Sequence, residues 1–219
     1  MITVDAPSSA RAPLFFISCS RALVARATGE TAEHVSRFFE DLSVHVSELV
    51  GPVTGMNAGF LDTSIEDGDR WSPELLHAAG TCQVFVPLVS RALLGSASCG
   101  REWDAFSRRR ITPRRSSASP HETAIVPVTW LPTNGVVLPR VLRDVQRFSA
   151  TALPDPDIAV HHQREGVHGL LTMRWENVYR AVVWRLAQRI VAIHRSYLVE
   201  PWVPESVDEL RNRFAEEQE

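Results

Sequence analysis

Short apolar runs bounded by polar residues alternate along this chain with segments of helical periodicity. Such runs are typical of strands that are buried on both faces of a parallel sheet. Five runs fit this description, at residues 14–17, 58–61, 84–89, 124–130 and 169–171. Strands that alternate with helices are joined by right-handed crossovers, so the pattern favours a doubly wound α/β fold.

Segments with helical periodicity fill the intervals between these runs. From Val35 to Leu49, apolar residues recur at steps of three and four, which predicts an amphipathic helix of about five turns. Gly51 and Pro52 then end that helix. Further helices are expected at residues 73–79, 99–110, 141–148, 175–197 and 206–217. The last of these is a charged tail helix with little apolar surface to bury.

The length of 219 residues suits one well-buried domain and is short for two. We expect a flexible arm over residues 1–12, the α/β domain over 13–200 and a helical tail over 201–219. Residues 112–121 are rich in Ser, Pro and Arg and are typical of an exposed linker.

Composition excludes several classes of function. With 23 basic and 26 acidic residues the formal charge is −3, which gives no electrostatic case for nucleic acid. All the basic residues are arginine, so P-loop and Schiff-base chemistry are excluded. No apolar run reaches the roughly 18 residues of a membrane span, and the first residues lack the pattern of a secretory signal. Three cysteines without CxxC spacing favour a reducing compartment, so we expect a cytoplasmic protein without a disulfide framework.

Two polar clusters allow competing interpretations. Arginines at 108–110 and 114–115 can meet phosphate or an acidic partner, but a solvated helix end is the simpler interpretation. His161, His162 and His168 suggest a metal, yet no acidic or cysteine partners stand at ligand spacing. We therefore expect no metal site.

Ligands of doubly wound folds bind beyond the carboxyl ends of the strands. In this chain those ends are residues 18–21, 62–71, 90–99 and 130–134. The candidate site residues are therefore sought in these four segments.

Four segments, in order and in spacing, resemble a TIR domain. Residues 15–20 read F-F-I-S-C-S at a strand end, and residues 59–71 give the long loop after the second strand. Residues 84–90 read V-F-V-P-L-V-S, and residues 96–103 read S-A-S-C-G-R-E-W at a helix start. Residues 126–130 and 165–170, ahead of the long last helix, are similar to the actinobacterial TIR-like FxsC family. The resemblance implies a flavodoxin-like sheet with strand order 2-1-3-4-5.

The resemblance also implies chemistry, because many TIR domains cleave NAD⁺ at the nicotinamide–ribose bond. The catalytic glutamate of that family corresponds to Glu102. Nicotinamide leaves a pyridinium as a neutral amine, so the reaction needs no general acid. One carboxylate can stabilise the oxocarbenium-like ribose and bind its hydroxyls. The alternative for Glu102 is a glutamate that complements the helix dipole.

Five further residues are candidates for substrate binding, and four of them have a structural alternative. Arg21 can bind a phosphate of the dinucleotide beside Ser20, or lie on the surface. Asp62 can meet a ribose or cap its loop. Trp71 can stack on a base or pack as core or lid. Ser90 can bond ribose or cap the following turn.

Two functions of different classes follow from the resemblance. The first is an NAD⁺ glycohydrolase in bacterial defence or signalling, including antiphage defence, with NAD⁺ as substrate and no cofactor. Family behaviour implies activation by self-association of TIR domains. The second is a non-catalytic module for protein–protein interaction. A partner protein or a fused regulatory domain is expected in either case, whereas a nucleic acid or a membrane is not.

Overall fold

The computed structural model describes residues 12–20, 30–51, 57–62, 71–114, 119, 122–151 and 155–215. Within them the chain is an α/β fold on a four-stranded parallel sheet. In chain order the strands of this sheet are β1 (Pro13–Ser18), β2 (Asn57–Leu61), β3 (Val84–Val89) and β5 (Val128–Thr129). Their order across the sheet is β2-β1-β3-β5. The strand at 128–129 therefore occupies the fourth position, as predicted for the fourth apolar run.

Seven α-helices are described. They are α1 (Glu30–Val50), α2 (Pro73–Thr81), α3 (Arg91–Leu94), α4 (Ala97–Ser107), α5 (Arg140–Arg143), α6 (Asp157–Thr172) and α7 (Glu176–Ser196). Helix α1 packs against α7, α7 packs against α6, and α2 packs against α4. The long last helix thus has the predicted extent to within a residue at each end.

Strands β1 and β3 form the centre of the core because each is buried at all six positions. Phe16 lies between Phe60 and Phe85, with ring centroids 5.6 Å from both. A strand that is apolar on both faces must be covered on both sides. The uninterrupted apolar runs of the sequence therefore specify these two central strands.

The fifth predicted strand is wrong, because residues 169–171 lie inside helix α6. Val167, Leu170 and Leu171 are buried there, and their spacing of three and four residues is that of one helix face. A run of three residues cannot separate this pattern from a strand. Among the described residues the parallel sheet has four strands.

Helix α6 contains a sharp kink at Gly166, which has φ +68° and ψ 171°. A Cβ at this position would stand 2.4 Å from the carbonyl oxygen of Trp130, just after β5. The amide of His168 donates to that same carbonyl at 3.1 Å. The glycine is therefore required both by its positive φ and by the close approach of the two backbones.

The C-terminal tail differs from the predicted helix. Over its described part it contains one 3₁₀ turn, Val207–Glu209, and then runs along α4. The amide of Arg211 donates to Asp104 Oδ2 at 3.0 Å, and the buried Phe214 packs edge-on against Trp103. The tail therefore buries apolar surface, contrary to the prediction. Its backbone bonds to α4 instead of forming the hydrogen bonds of a helix.

Two further predictions are corrected around the linker and the short helix. Ile111–Pro113 forms strand β4, which pairs antiparallel with β6 (Tyr197–Val199), so the predicted linker starts as a strand. The helix predicted at 141–148 ends at Arg143, and the Phe148 amide instead donates to the carbonyl of Pro127 at 2.8 Å. Residues 1–11 of the predicted arm lie outside the described residues.

Candidate functional site

Glu102 lies in the second turn of α4, where Ser96 caps the helix and accepts from the Cys99 amide at 3.3 Å. Its side chain is buried, with 4% of its surface exposed. One carboxylate oxygen accepts a short hydrogen bond from the Ser18 hydroxyl, and the other accepts from the Ser98 hydroxyl at 3.3 Å. Ser18 is the last residue of β1, so the glutamate joins the carboxyl end of the sheet to α4.

The negative charge at Glu102 affects the thiols around it. Burial raises the pKa of Cys19 to about 12, and the carboxylates of Glu102 and Asp62 add to this effect. Burial and then Glu102 also raise the pKa of Cys99 well above its ordinary value. Both thiols are therefore protonated at neutral pH and do not supply a thiolate nucleophile.

The other predicted residues have different environments. Ser20 is buried near the end of β1, and Asp62 is half-buried directly after β2. Trp71 is half-buried and packs against the core. Ser90 is fully buried, and its hydroxyl accepts from the Leu93 amide at 3.2 Å, which is the capping role. Arg21 lies outside the described residues.

The structure therefore brings together Glu102, Ser18 and Ser98, with the thiols and Asp62 around them. Neither serine is predicted from the sequence as a partner of the glutamate. Their signals were present: Ser18 ends the first apolar run, and Ser98 stands four residues before Glu102, the spacing of neighbours on a helix.

The arginines at 108–110 and 114–115 are predicted to be solvated, and this prediction is wrong for Arg109. Arg109 is 5% exposed, and its guanidinium donates to the carbonyls of Ala79 and Glu200 at 3.1 and 3.0 Å. These acceptors belong to α2 and to the segment after β6. Arg109 thus links two separate segments of the chain through hydrogen bonds. From the sequence alone, an arginine within a run of arginines is expected to be exposed to solvent.

The three histidines are separated by their environments. His162 is fully buried on α6 and packs against Phe148, with ring centroids 5.7 Å apart. His168 lies against His34 of α1, with their Nδ1 atoms 3.1 Å apart, and His161 packs on Trp175. Within the described part of the chain, no group of three or more His, Cys, Asp or Glu is arranged to hold a metal ion.

Glu102 is absent from the lining of two cavities formed by residues within the described ranges. One of about 610 Å³ lies between α7 and residues 146–151, and one of about 410 Å³ lies beside Trp103 and Val145. The predicted open cleft at Glu102, between residues 18–21 and 62–71, has Arg21 and residues 63–70 outside the described ranges. In the structure the carboxylate faces hydroxyls of the protein rather than open solvent.

Comparison of the chain with models of protein families, with curated proteins and with solved structures finds no match. Of the helices in the described ranges, none combines the length and the apolar character needed to cross a bilayer.

Proposed function

We propose that this chain is a flavodoxin-like TIR domain and a cytoplasmic NAD⁺ glycohydrolase in which Glu102 is the catalytic carboxylate. The hydrogen bond from Ser18 to Glu102 carries the proposal. It fixes a buried carboxylate at the carboxyl end of a central parallel strand, which is where such folds bind their ligands. The strand order β2-β1-β3-β5 supports the same fold.

The reaction assigns a simple role to the glutamate. The C1′–N bond of the nicotinamide riboside breaks heterolytically, and its electron pair leaves with neutral nicotinamide. The positive charge that grows on the ribose is stabilised by the carboxylate of Glu102, and water then adds to C1′ and releases one proton. A charge in a site that excludes water interacts strongly with the oxocarbenium-like ribose.

The burial of Glu102 sets a condition on this mechanism. With 4% of its surface exposed and a hydroxyl on each oxygen, the carboxylate has to exchange a serine contact for a ribose hydroxyl when substrate binds. Activation by self-association supplies a way to move α4 relative to β1. We therefore expect turnover to rise with protein concentration more steeply than in direct proportion.

The burial of Glu102 favours a second candidate, a non-catalytic interaction module. In that case the hydrogen bonds from Ser18 and Ser98 to Glu102 are structural, and the residue links β1 to α4. The proposed homotypic assembly, or a partner protein, would then be the function of the domain.

A measurement of nicotinamide release from NAD⁺ by concentrated or crowded protein distinguishes the glycohydrolase from the interaction module. We expect the wild type to turn over and Glu102→Gln, which keeps the size of the side chain, to lose activity at least about a hundredfold. Glu48→Gln, at an exposed position of α1, is the matched control and should keep wild-type turnover. Equal turnover by wild type and Glu102→Gln, with both folded by circular dichroism, would remove Glu102 from the catalytic role. Absence of turnover by the folded wild type would eliminate the enzyme and leave the interaction module.

A further inference from the structure

The cavity of about 610 Å³ lies at the end of the sheet opposite Glu102. Its floor contains Ile125 and Val126, and the Val126 amide donates to the carbonyl of Phe85 near the amino end of β3. Glu102, in contrast, bonds Ser18 at the carboxyl end of β1. The two locations are thus separate, and an inference about the cavity does not rest on the proposed catalytic role.

One wall of the cavity is a single face of α7, and the other is the irregular segment 146–151. The face of α7 contributes Arg185, Gln188, Arg189 and Ala192. These positions recur at steps of three and four, so all four side chains project to the same side of the helix. The volume is within the range of roughly 300–1,000 Å³ that is usual for small-molecule sites.

The lining is strongly positive in a chain whose net charge is −3. Arg147, Arg185 and Arg189 line the cavity, and no lining residue is acidic. Arg189 is paired with the carboxylate of Glu122. Among the described residues, no carboxylate lies within ion-pair distance of Arg147 or Arg185, so two positive charges at the cavity remain uncompensated.

The two uncompensated guanidinium groups are held by neutral acceptors. Arg185 donates to the amide oxygen of Gln188 at 2.8 Å and to the carbonyl of Thr151 at 3.0 Å, and Arg147 donates to the hydroxyl of Thr133 at 3.4 Å. Each guanidinium has five N–H donors, so most remain for a ligand. A positioned guanidinium loses less side-chain entropy when it binds an anion, and its fork matches two oxygens of phosphate.

Besides the arginines, the lining contains four neutral polar residues, Gln146, Ser149, Thr151 and Gln188, and four apolar ones. Ile125, Val126 and Ala192 provide an aliphatic wall, and Phe148 is half-buried beside them. Inorganic ions would leave this surface without a partner. An organic molecule with one doubly charged group would satisfy both parts of the lining.

We propose that this cavity binds the phosphate monoester group of a small organic molecule. A phosphate monoester carries close to two negative charges at neutral pH, which matches the two uncompensated arginines. Its oxygens meet Arg147 and Arg185, and its organic part lies on Phe148 and the aliphatic wall.

Calorimetric titration of the full chain with phenyl phosphate tests this site, since the probe combines a ring with a dianion. We expect saturable binding to the wild type, and affinity at least about tenfold lower for Arg147→Gln and for Arg185→Gln. The matched control is Arg180→Gln, since Arg180 lies on the same helix but pairs with Glu176 outside the cavity. It should bind phenyl phosphate as the wild type does.

Three related probes define the chemistry. Phenol lacks the anion and phenyl sulfate has one charge, so both should bind at least about tenfold more weakly than phenyl phosphate. Phthalate is a dianion of two carboxylates, and binding as tight as that of phenyl phosphate would overturn the assignment to phosphate.

Failure of the wild type to bind phenyl phosphate, or equal affinity in Arg147→Gln and Arg180→Gln, would overturn the site itself. If Arg185→Gln does not fold, the site is tested with Arg147→Gln and with NMR spectra of the wild type. Phenyl phosphate should then shift the arginine Nε–Hε resonances of the wild type, and unchanged resonances would overturn the site.

Discussion

Acidification should destabilise this fold through His162. The ring is fully buried, and burial lowers the pKa of His162 from its ordinary 6.5 to about 4, with only a contact to the Thr129 backbone opposing the effect. The unfolded chain therefore takes up a proton on this residue at a higher pH than the folded protein does. Stability from the neutral ring is complete above pH 6.5 and is lost as the pH falls through 6.5 toward 4.

The magnitude follows from the two pKa values. Their difference corresponds to about 3 kcal/mol in total, of which about 2 kcal/mol is lost between pH 8 and pH 5. Urea unfolding of the wild type and of His162→Leu at both pH values measures it. Because the variant lacks this proton site, its free energy of unfolding should fall by about 2 kcal/mol less than that of the wild type.

Other histidines do not disturb this comparison. The pKa values of His34, His168 and His194 are also lowered, chiefly by burial, but these residues are present in both proteins and their effects cancel. An equal loss of stability in wild type and His162→Leu between the two pH values would refute the reasoning, as would a titration of the His162 ring near pH 6.5.

Two further perturbations test the packing around the site. Gly166→Ala places a Cβ 2.4 Å from the Trp130 carbonyl oxygen at a positive φ, so its free energy of unfolding should fall by at least about 2 kcal/mol. Gly135→Ala, at φ +73° but in open space, should lose no more than about 1 kcal/mol, and equal losses in urea unfolding would contradict the role of the close approach. Phe214→Ala removes a buried ring from Trp103 and should lower the free energy of unfolding by about 3 kcal/mol. It should also make the tail sensitive to protease, and a tail that resists protease in this variant would show that Phe214 does not hold it.

The elements that sequence reasoning predicted well are those with strong periodic patterns. The runs that became β1 and β3 are apolar at nearly every position, and α7 has an apolar stripe from Val178 to Ile193. The segment 169–171 was misassigned because three apolar residues fit a strand and a helix face equally. In the assembled fold Val167, Leu170 and Leu171 are buried together on one face of α6, an environment that the three residues alone do not reveal.

The candidate site could be predicted in position but not in its contacts. The resemblance selected Glu102 at the start of a helix, yet the hydroxyl of Ser18 that bonds it stands 84 residues earlier. The burial of Arg109 and the tail along α4 likewise depend on contacts between distant segments. Periodicity reports the environment of a segment, whereas such contacts are set by the assembled fold.

The course of the tail limits where other molecules can attach to α4. Residues 211–214 already occupy the side of the helix that carries Gly100, Trp103 and Asp104. A Cβ at residue 100 would stand 1.9 Å from the Asn212 side-chain oxygen, so the fit leaves no gap for an incoming chain. Any protein that binds this side of the helix has to displace the tail first. Variants with a loosened tail should therefore associate with such a protein faster.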